Sequence, residues 1–425
     1  MMRSTSIAGE GRDHQFRHRR KKKVSLLLPP ISIQSSLNSS TNYVSTAGRF
    51  RYIAIIFFVV GSVVFLSKNA NNQQQVPSDA NMEKLTGSSR PFQYIGDFNP
   101  SEPLPWPEEE EDWHALHETL AKRVKESDEL SINQGDDYLP QLVFYGDSIT
   151  EGWNGTSFGN LPGPHRMWID GEDETIRDVF ANAFGDKSEW GERALKPPLI
   201  LGISGSRTYD FIWRVNNGEF PVSPLLKNVE ETDTTDGDAE FHREKLERIY
   251  ILLMGTNNLG GGMLPGPTLE GMDSVGRTIL QLHQKHFPNT PAAMLFSELL
   301  PRNDDFRAAK MCPARCKNVE TSEPYKSFMP AINKVNRELP GLLDGWRKDF
   351  KNSRILLLSA GEVNASDQSN NVSYNTVIKC GGEMFAFKDI KKLDTYMPDR
   401  LHPNAKGYDL WSRCLKKGLD AVMSR

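Results

Sequence analysis

Leu142-Val143-Phe144-Tyr145-Gly146-Asp147-Ser148-Ile149-Thr150-Glu151 is the stretch whose reading decides the fold. Four apolar residues run straight into Gly-Asp-Ser, the pattern of a strand buried on both faces that stops abruptly and hands a serine to the loop at its carboxyl end. Open α/β sheets put their ligands in that place. Taken alone, Gly146-Asp147-Ser148 reads equally well as a turn feeding a helix N-cap, since Asp and Ser are good caps and Gly tolerates a tight bend. Further apolar runs near 198–203, 248–254, 292–297 and 354–358 alternate with amphipathic helical patterns, one of them near 269–286 and the last over 405–423. With the first run near 141–146 they predict a mainly parallel five-stranded sheet in a three-layer α/β sandwich.

The second decisive stretch is Met397-Pro398-Asp399-Arg400-Leu401-His402-Pro403. A serine hydroxyl is a poor nucleophile until a base takes its proton, and an imidazole serves as that base when a carboxylate fixes its tautomer. Asp399 and His402 are three residues apart, so one turn of chain brings the carboxylate against Nδ1 and leaves Nε2 for Ser148. Pro403 keeps His402 out of the helix that follows. The bland alternative is a surface acid beside a helix-capping histidine. Between the two stretches, Leu201-Gly202-Ile203-Ser204-Gly205-Ser206 closes a second apolar strand with glycine, and Ile249-Tyr250-Ile251-Leu252-Leu253-Met254-Gly255-Thr256-Asn257-Asn258 ends a third in an amide. The Ser148 N–H, the Gly205 N–H and the Asn257 side chain would give three donors to the oxyanion of a tetrahedral acyl intermediate. Otherwise Gly205 serves only a tight turn and Asn257 only a helix cap. Asp147 is expected to anchor the loop that presents the serine.

The ordered set of Gly146-Asp147-Ser148, Gly205, Gly255-Thr256-Asn257-Asn258 and Asp399-x-x-His402 resembles the SGNH (GDSL-type) hydrolase superfamily. Gly202-Ile203-Ser204-Gly205 leading to Trp213-Arg214, Leu299-Leu300-Pro301-Arg302, and Asp399 to Pro403 followed by Gly407-Tyr408 are most similar to catalytic subunits of intracellular platelet-activating-factor acetylhydrolase. The likeness runs from about Trp106 to the C-terminus. It implies a flavodoxin-like strand order, a Ser148-His402-Asp399 triad and no metal or organic cofactor. Four segments depart from the pattern: about Asn154 to Lys196, Glu230 to Asp238, Pro313 to Pro330, and Gly361 to Asp394. Loops at strand ends shape the substrate pocket, so the acetylhydrolase substrate does not transfer with the triad. An acylated glycan and an acylated lipid are both open as substrates, with a short acyl group such as acetyl. The rival classes are a catalytically silent protein binding a carbohydrate or lipid, and a membrane-tethered scaffold.

The 425 residues are 38% apolar with a formal charge of -4, which argues against a nucleic-acid partner. Basic residues gather instead in the first fifty, notably Arg17-His18-Arg19-Arg20-Lys21-Lys22-Lys23. The uncharged run Tyr52 to Ser67, about 24 Å long as a helix, then predicts a single-pass signal anchor. By the positive-inside rule this gives a cytosolic tail over 1–51, an anchor over 52–67, a polar stalk over 68–100 and a hydrolase domain over 101–425. The domain would face the lumen of the secretory pathway, in the Golgi or at the cell surface. Asn154, Asn364 and Asn371 head N-glycosylation sequons on that side, and Cys312, Cys316, Cys380 and Cys414 allow up to two disulfides in three pairings. A helix from Glu108 to about Lys125 carries the apolar stripe Trp113, Leu116, Leu120 and Val124. His114 and His117 on it, like His283 and His286 later, lack a third metal ligand and read as surface or packing residues. Gly260-Gly261-Gly262 lacks the spacing of a phosphate loop and reads as an edge of the cleft.

Overall fold

Every strand of the sheet runs the same way, and the order along it is β2-β1-β3-β4-β5-β6. In this computed structural model the described residues are 99–130, 138–161, 175–225, 246–304, 327–359, 376–380 and 390–424, all within one compact unit, Ser89–Arg425. The strands are β1 (Gln141–Gly146), β2 (Leu199–Gly202), β3 (Arg248–Leu253), β4 (Ala293–Ser297), β5 (Arg354–Ser359) and β6 (Val377–Lys379). The helices are α1 (Glu111–Glu129), α2 (Ser148–Glu151), α3 (Ile176–Phe184), α4 (Glu189–Arg193), α5 (Thr208–Arg214), α6 (Thr256–Gly260), α7 (Pro265–His286), α8 (Met329–Asp349), α9 (Ile390–Tyr396) and α10 (Ala405–Met423). The expectation of five strands falls short by one. Strand β6 is three residues long and lies inside the expected insertion after Gly361, where no apolar run marks it.

Successive side chains of a strand point to opposite faces, and the core divides accordingly. Val143, Tyr145, Tyr250, Leu252, Met294, Phe296, Ile355 and Leu357 join α1, α5, α7 and α8 on one face. Leu142, Phe144, Ile249, Ile251, Leu253, Leu295, Leu356 and Leu358 meet α3, α9 and α10 on the other. The apolar stripe of α1 is buried as expected, with Trp113 and Leu120 fully covered. The helix starts after Glu110 and runs to Glu129, one turn past the expected end. Ahead of it the strap from Asn99 to Pro107 is fixed on the same face, where Leu104 N–H donates to Tyr209 O at 3.2 Å and Thr208 Oγ1 to Pro100 O at 3.1 Å.

The order reverses between β1 and β3, since the chain leaves β1 for β2 on one side and returns to β3 on the other. This is the topological switch point, at whose carboxyl edge open α/β sheets bind their ligands. Ser148 follows β1, Gly205 follows β2 and Asn257 follows β3. No helix among the described residues is long and apolar enough to cross a membrane. The expected anchor at 52–67, the basic tail and nearly all of the stalk lie outside the described residues.

Candidate active site

Strand β1 stops because Asp147 leaves the extended conformation (φ -108°, ψ -147°) and caps α2, its Oδ1 accepting the Ile149 N–H at 3.0 Å. Ser148 thereby becomes the first residue of α2, with 7% of its surface exposed. The cap reading and the nucleophile reading are therefore compatible: Asp147 is the cap and Ser148 is what the cap presents. Asp147 is fully buried, and its Oδ2 has no hydrogen-bond partner among the described residues. Burial pushes its carboxyl up to about 6, against the opposing pull of the Ile149 N–H and the charges of His402 and Arg302.

The turn between α9 and α10 delivers the histidine. Asp399 Oδ1 accepts the backbone N–H of Leu401 at 3.0 Å and of His402 at 2.7 Å, while Oδ2 faces His402 Nδ1 at 2.6 Å. One carboxylate thus builds the turn and orients the ring, which is why the two residues are three apart. Arg400 between them takes φ 65°, a left-handed conformation that costs a non-glycine residue about 1 kcal/mol. That turn is braced by the segment that follows β4, where Asn303 N–H donates to Arg400 O at 2.9 Å. Because a carboxylate is acceptor-only, Nδ1 carries the proton and Nε2 keeps its lone pair. His402 Nε2 lies 2.9 Å from Ser148 Oγ. Burial opposes ionisation of Asp399, but the neighbouring His402 ring and the donors from His402 and Leu401 hold its carboxyl below the usual range.

Gly205 occurs in a tight turn, Ser206 N–H donating to Ile203 O at 3.2 Å, and takes φ 78°, where a side chain would be strained. A Cβ there would also meet the Trp106 ring at 2.7 Å. Asn257 donates one amide hydrogen to Ser206 O at 3.1 Å, so the amide sits against the Gly205 turn and keeps a second donor. Strand β2 approaches α2 so closely that a Cβ on Gly202 would fall 2.2 Å from Glu151 N.

Three buried ionisable residues that the sequence reading did not single out connect these pieces. Glu151 Oε2 accepts from Ser204 N and Ser204 Oγ, each at 2.7 Å, and Oε1 accepts from Gly159 N at 2.8 Å and Thr156 Oγ1 at 3.1 Å. Arg214 donates to Gly146 O, Leu201 O and Ser206 Oγ at 3.1, 2.8 and 3.2 Å, and pairs with Glu219 at 2.6 Å. Arg302 donates to Thr256 O at 2.8 Å and pairs with Asp304 at 2.5 Å, which ties the Asn257 turn to the segment that follows β4. Trp213-Arg214 and Leu299-Leu300-Pro301-Arg302 were visible only as blocks of resemblance; a charge inside an otherwise apolar run was the available signal.

The remaining expectations fall away from the site or outside it. Asn154 is half-buried at the end of a short helical turn, and the Thr156 hydroxyl of its sequon is the one held by Glu151. Asn364, Asn371, Cys312 and Cys316 lie outside the described residues. Cys380 and Cys414 are joined by a disulfide, one of the pairings left open. Of the histidines, His117 is buried against Glu219 at 2.8 Å. His283 sits between Tyr250 Oη and Thr290 O, and burial pushes its imidazole down to about 4. Among the described residues no group of three or more His, Cys, Asp or Glu side chains is arranged to hold a metal ion.

The family model described as the GDSL-like Lipase/Acylhydrolase family matches residues 144–410. No curated protein matches the chain significantly. Among solved structures, a protein from Streptococcus pneumonia described as a platelet activating factor aligns at 15% identity and a TM-score of 0.36, over 73% of this chain and 95% of that one. A protein from Parabacteroides merdae described as a GDSL-like lipase aligns at 14% identity and 0.34, over 69% of this chain and 100% of its own. A member of the lipolytic protein G-D-S-L family from Veillonella parvula aligns at 14% and 0.30, over 65% and 97%. At such scores the family match alone carries the assignment.

Proposed function

Because the chain belongs to the GDSL-like lipase/acylhydrolase family, a family of ester hydrolases, we propose that it is a serine esterase whose nucleophile is Ser148. The observation that carries this reading is the unbroken relay from Asp399 Oδ2 to His402 Nδ1 at 2.6 Å and from His402 Nε2 to Ser148 Oγ at 2.9 Å. His402 Nε2 takes the hydroxyl proton as Oγ attacks the ester carbonyl, and Asp399 stabilises the imidazolium that results. The carbonyl oxygen becomes an oxyanion held by the Ser148 N–H, the Gly205 N–H and the second amide hydrogen of Asn257. His402 returns its proton to the departing alcohol. Water then enters and loses a proton to His402 as it attacks the acyl group, and His402 returns that proton to Ser148 Oγ as the acid leaves. Overall one ester and one water give one acid and one alcohol.

The acyl group is short, acetyl in the simplest case, and the alcohol belongs to a glycan or a lipid. This reading places the chain in a membrane of the secretory pathway through residues 52–67, with the hydrolase domain on the luminal or extracellular side and glycans on its sequons. The test is labelling of the full-length chain with a fluorophosphonate probe, which needs no knowledge of the alcohol. Labelling of wild type that disappears in Ser148→Ala and in His402→Ala is expected. A folded wild type that does not label would replace the esterase with a binding protein on a hydrolase scaffold.

A further inference from the structure

We infer that Glu151 and Arg214 are positioning residues that clamp the Gly205 turn from both sides and so set the distance between the nucleophile and the oxyanion donors. The inference rests on the proposed oxyanion hole. Gly205 lies between Ser204 and Ser206, and each neighbour is gripped by a different buried charge. On one side Glu151 Oε2 takes both the N–H and the hydroxyl of Ser204 at 2.7 Å. Glu151 is the last residue of α2, the helix that begins with Ser148, so this grip links the nucleophile's helix directly to the donor's loop. With Gly159 N and Thr156 Oγ1 on Oε1, four donors fill the acceptor sites of the carboxylate and leave it no alternative arrangement.

On the other side Arg214 Nη1 holds Ser206 Oγ at 3.2 Å and Gly146 O at 3.1 Å, while Nη2 holds Leu201 O at 2.8 Å. The same guanidinium therefore spans the end of β1, the end of β2 and the turn after Gly205. Its fork is fixed by Glu219, which accepts Nε at 3.0 Å and Nη2 at 2.6 Å, and Glu219 is in turn held by His117 Nδ1 at 2.8 Å. Burial works against the Glu219 charge, and the Arg214 and His117 contacts overcome it, holding the carboxyl below its usual range. Ser206 O then accepts from Asn257, so the proposed Asn257 donor is registered on the Gly205 turn. Trp106 covers the Cα of Gly205, where even a methyl group would come within 2.7 Å. A donor displaced by about 1 Å costs on the order of 10²-fold in rate, and these links hold the Gly205 peptide against such a displacement.

The experiment compares Glu151→Gln and Ser206→Ala in the full-length chain, each alone and combined with Asn257→Ala, using p-nitrophenyl acetate. Glu151→Gln sets an amide donor against donors already in place, and Ser206→Ala removes one hydroxyl without orphaning a charge. We expect kcat to fall about 10- to 100-fold with KM changed by less than about 2-fold, since the lost interaction exists only in the transition state. Each double variant should lose less than the product of the two single losses, because both act through one hole. Should Glu151→Gln fail to fold, Ser206→Ala carries the comparison. Unchanged kcat, a loss confined to KM, or full multiplicativity with Asn257→Ala overturns the clamp. Ser148-dependent fluorophosphonate labelling and the loss in Asn257→Ala alone are read first, so a failed hole is told apart from a failed clamp.

Discussion

Replacing Asp147 by Asn should change how stability depends on pH, with a size set by the burial of one carboxylate. Asp147 is fully buried, donates nothing, and leaves Oδ2 without a partner among the described residues. Its carboxyl is raised from 3.8 to about 6, mainly by loss of solvent. Two pH units correspond to about 3 kcal/mol at 1.36 kcal/mol per unit, the penalty the folded state bears for keeping the group ionised at pH 8. Between 3.8 and 6 the folded protein binds more proton than the unfolded chain, so this contribution favours folding at low pH and is lost as the pH rises through 6. Asparagine is isosteric, keeps an oxygen for the Ile149 N–H and does not titrate in this range. Its own buried amide adds a cost that is constant with pH, so the slope is the measurement, not the absolute level. Urea unfolding followed by tryptophan fluorescence at several pH values from 4 to 8 should show Asp147→Asn gaining on wild type by about 3 kcal/mol across the series. A gap between the two proteins that stays constant with pH would refute the reasoning.

Three other substitutions probe the rest of the site and its support. Gly205→Ala forces a methyl against the Trp106 ring at a φ of 78° and should lower kcat at least about 10²-fold; wild-type turnover would take Gly205 out of the hole. Asn257→Ala should lower kcat by about 10² to 10³ while fluorophosphonate labelling persists at a reduced rate, and an unchanged kcat would leave the amide only its bond to Ser206. Cys414→Ser opens a loop closed across 34 residues between the end of β6 and α10, and chain entropy puts the loss at about 4 kcal/mol. Identical urea midpoints with and without reductant would show that the disulfide contributes nothing.

Sheet and triad were legible in the sequence for the same reason: each depends on a pattern that is local. A parallel strand buried on both faces is a run of apolar residues, and five of the six strands carry one. Strand β6 does not. Its burial pattern is intermediate, intermediate, exposed, and among the described residues it pairs with β5 alone through three residues. The Asp399-x-x-His402 spacing was readable because a single turn holds both groups, and Ser148 because an abrupt stop after apolar residues is unusual. Pairing of Cys380 with Cys414 was not readable, since it depends on where an edge strand lies against a helix 34 residues later.

The parts that Arg214 and Arg302 play were not legible for a deeper reason. Carbonyl groups at the carboxyl ends of parallel strands and in the turns that follow them run out of ladder partners, yet at a switch point they are buried and must still be satisfied. An arginine meets that need economically, because its planar fork of donors reaches several carbonyls at once: Gly146 O and Leu201 O for Arg214, Thr256 O for Arg302. Each then needs a buried acid, Glu219 and Asp304, which comes from a turn a few residues further along the chain. In the sequence both members of such a pair look like ordinary surface charges. Only the apolar neighbours Phe211, Ile212 and Trp213 that precede Arg214 in the run Thr-Tyr-Asp-Phe-Ile-Trp-Arg hint otherwise. Carbonyls that the fold must satisfy and donors that the chemistry must hold still are adjacent atoms here, so the same guanidinium serves both. A substitution at Arg214 would therefore lower stability and turnover together, whereas Ser206→Ala touches only the link to the donor turn, which is why the lighter change is the more informative one.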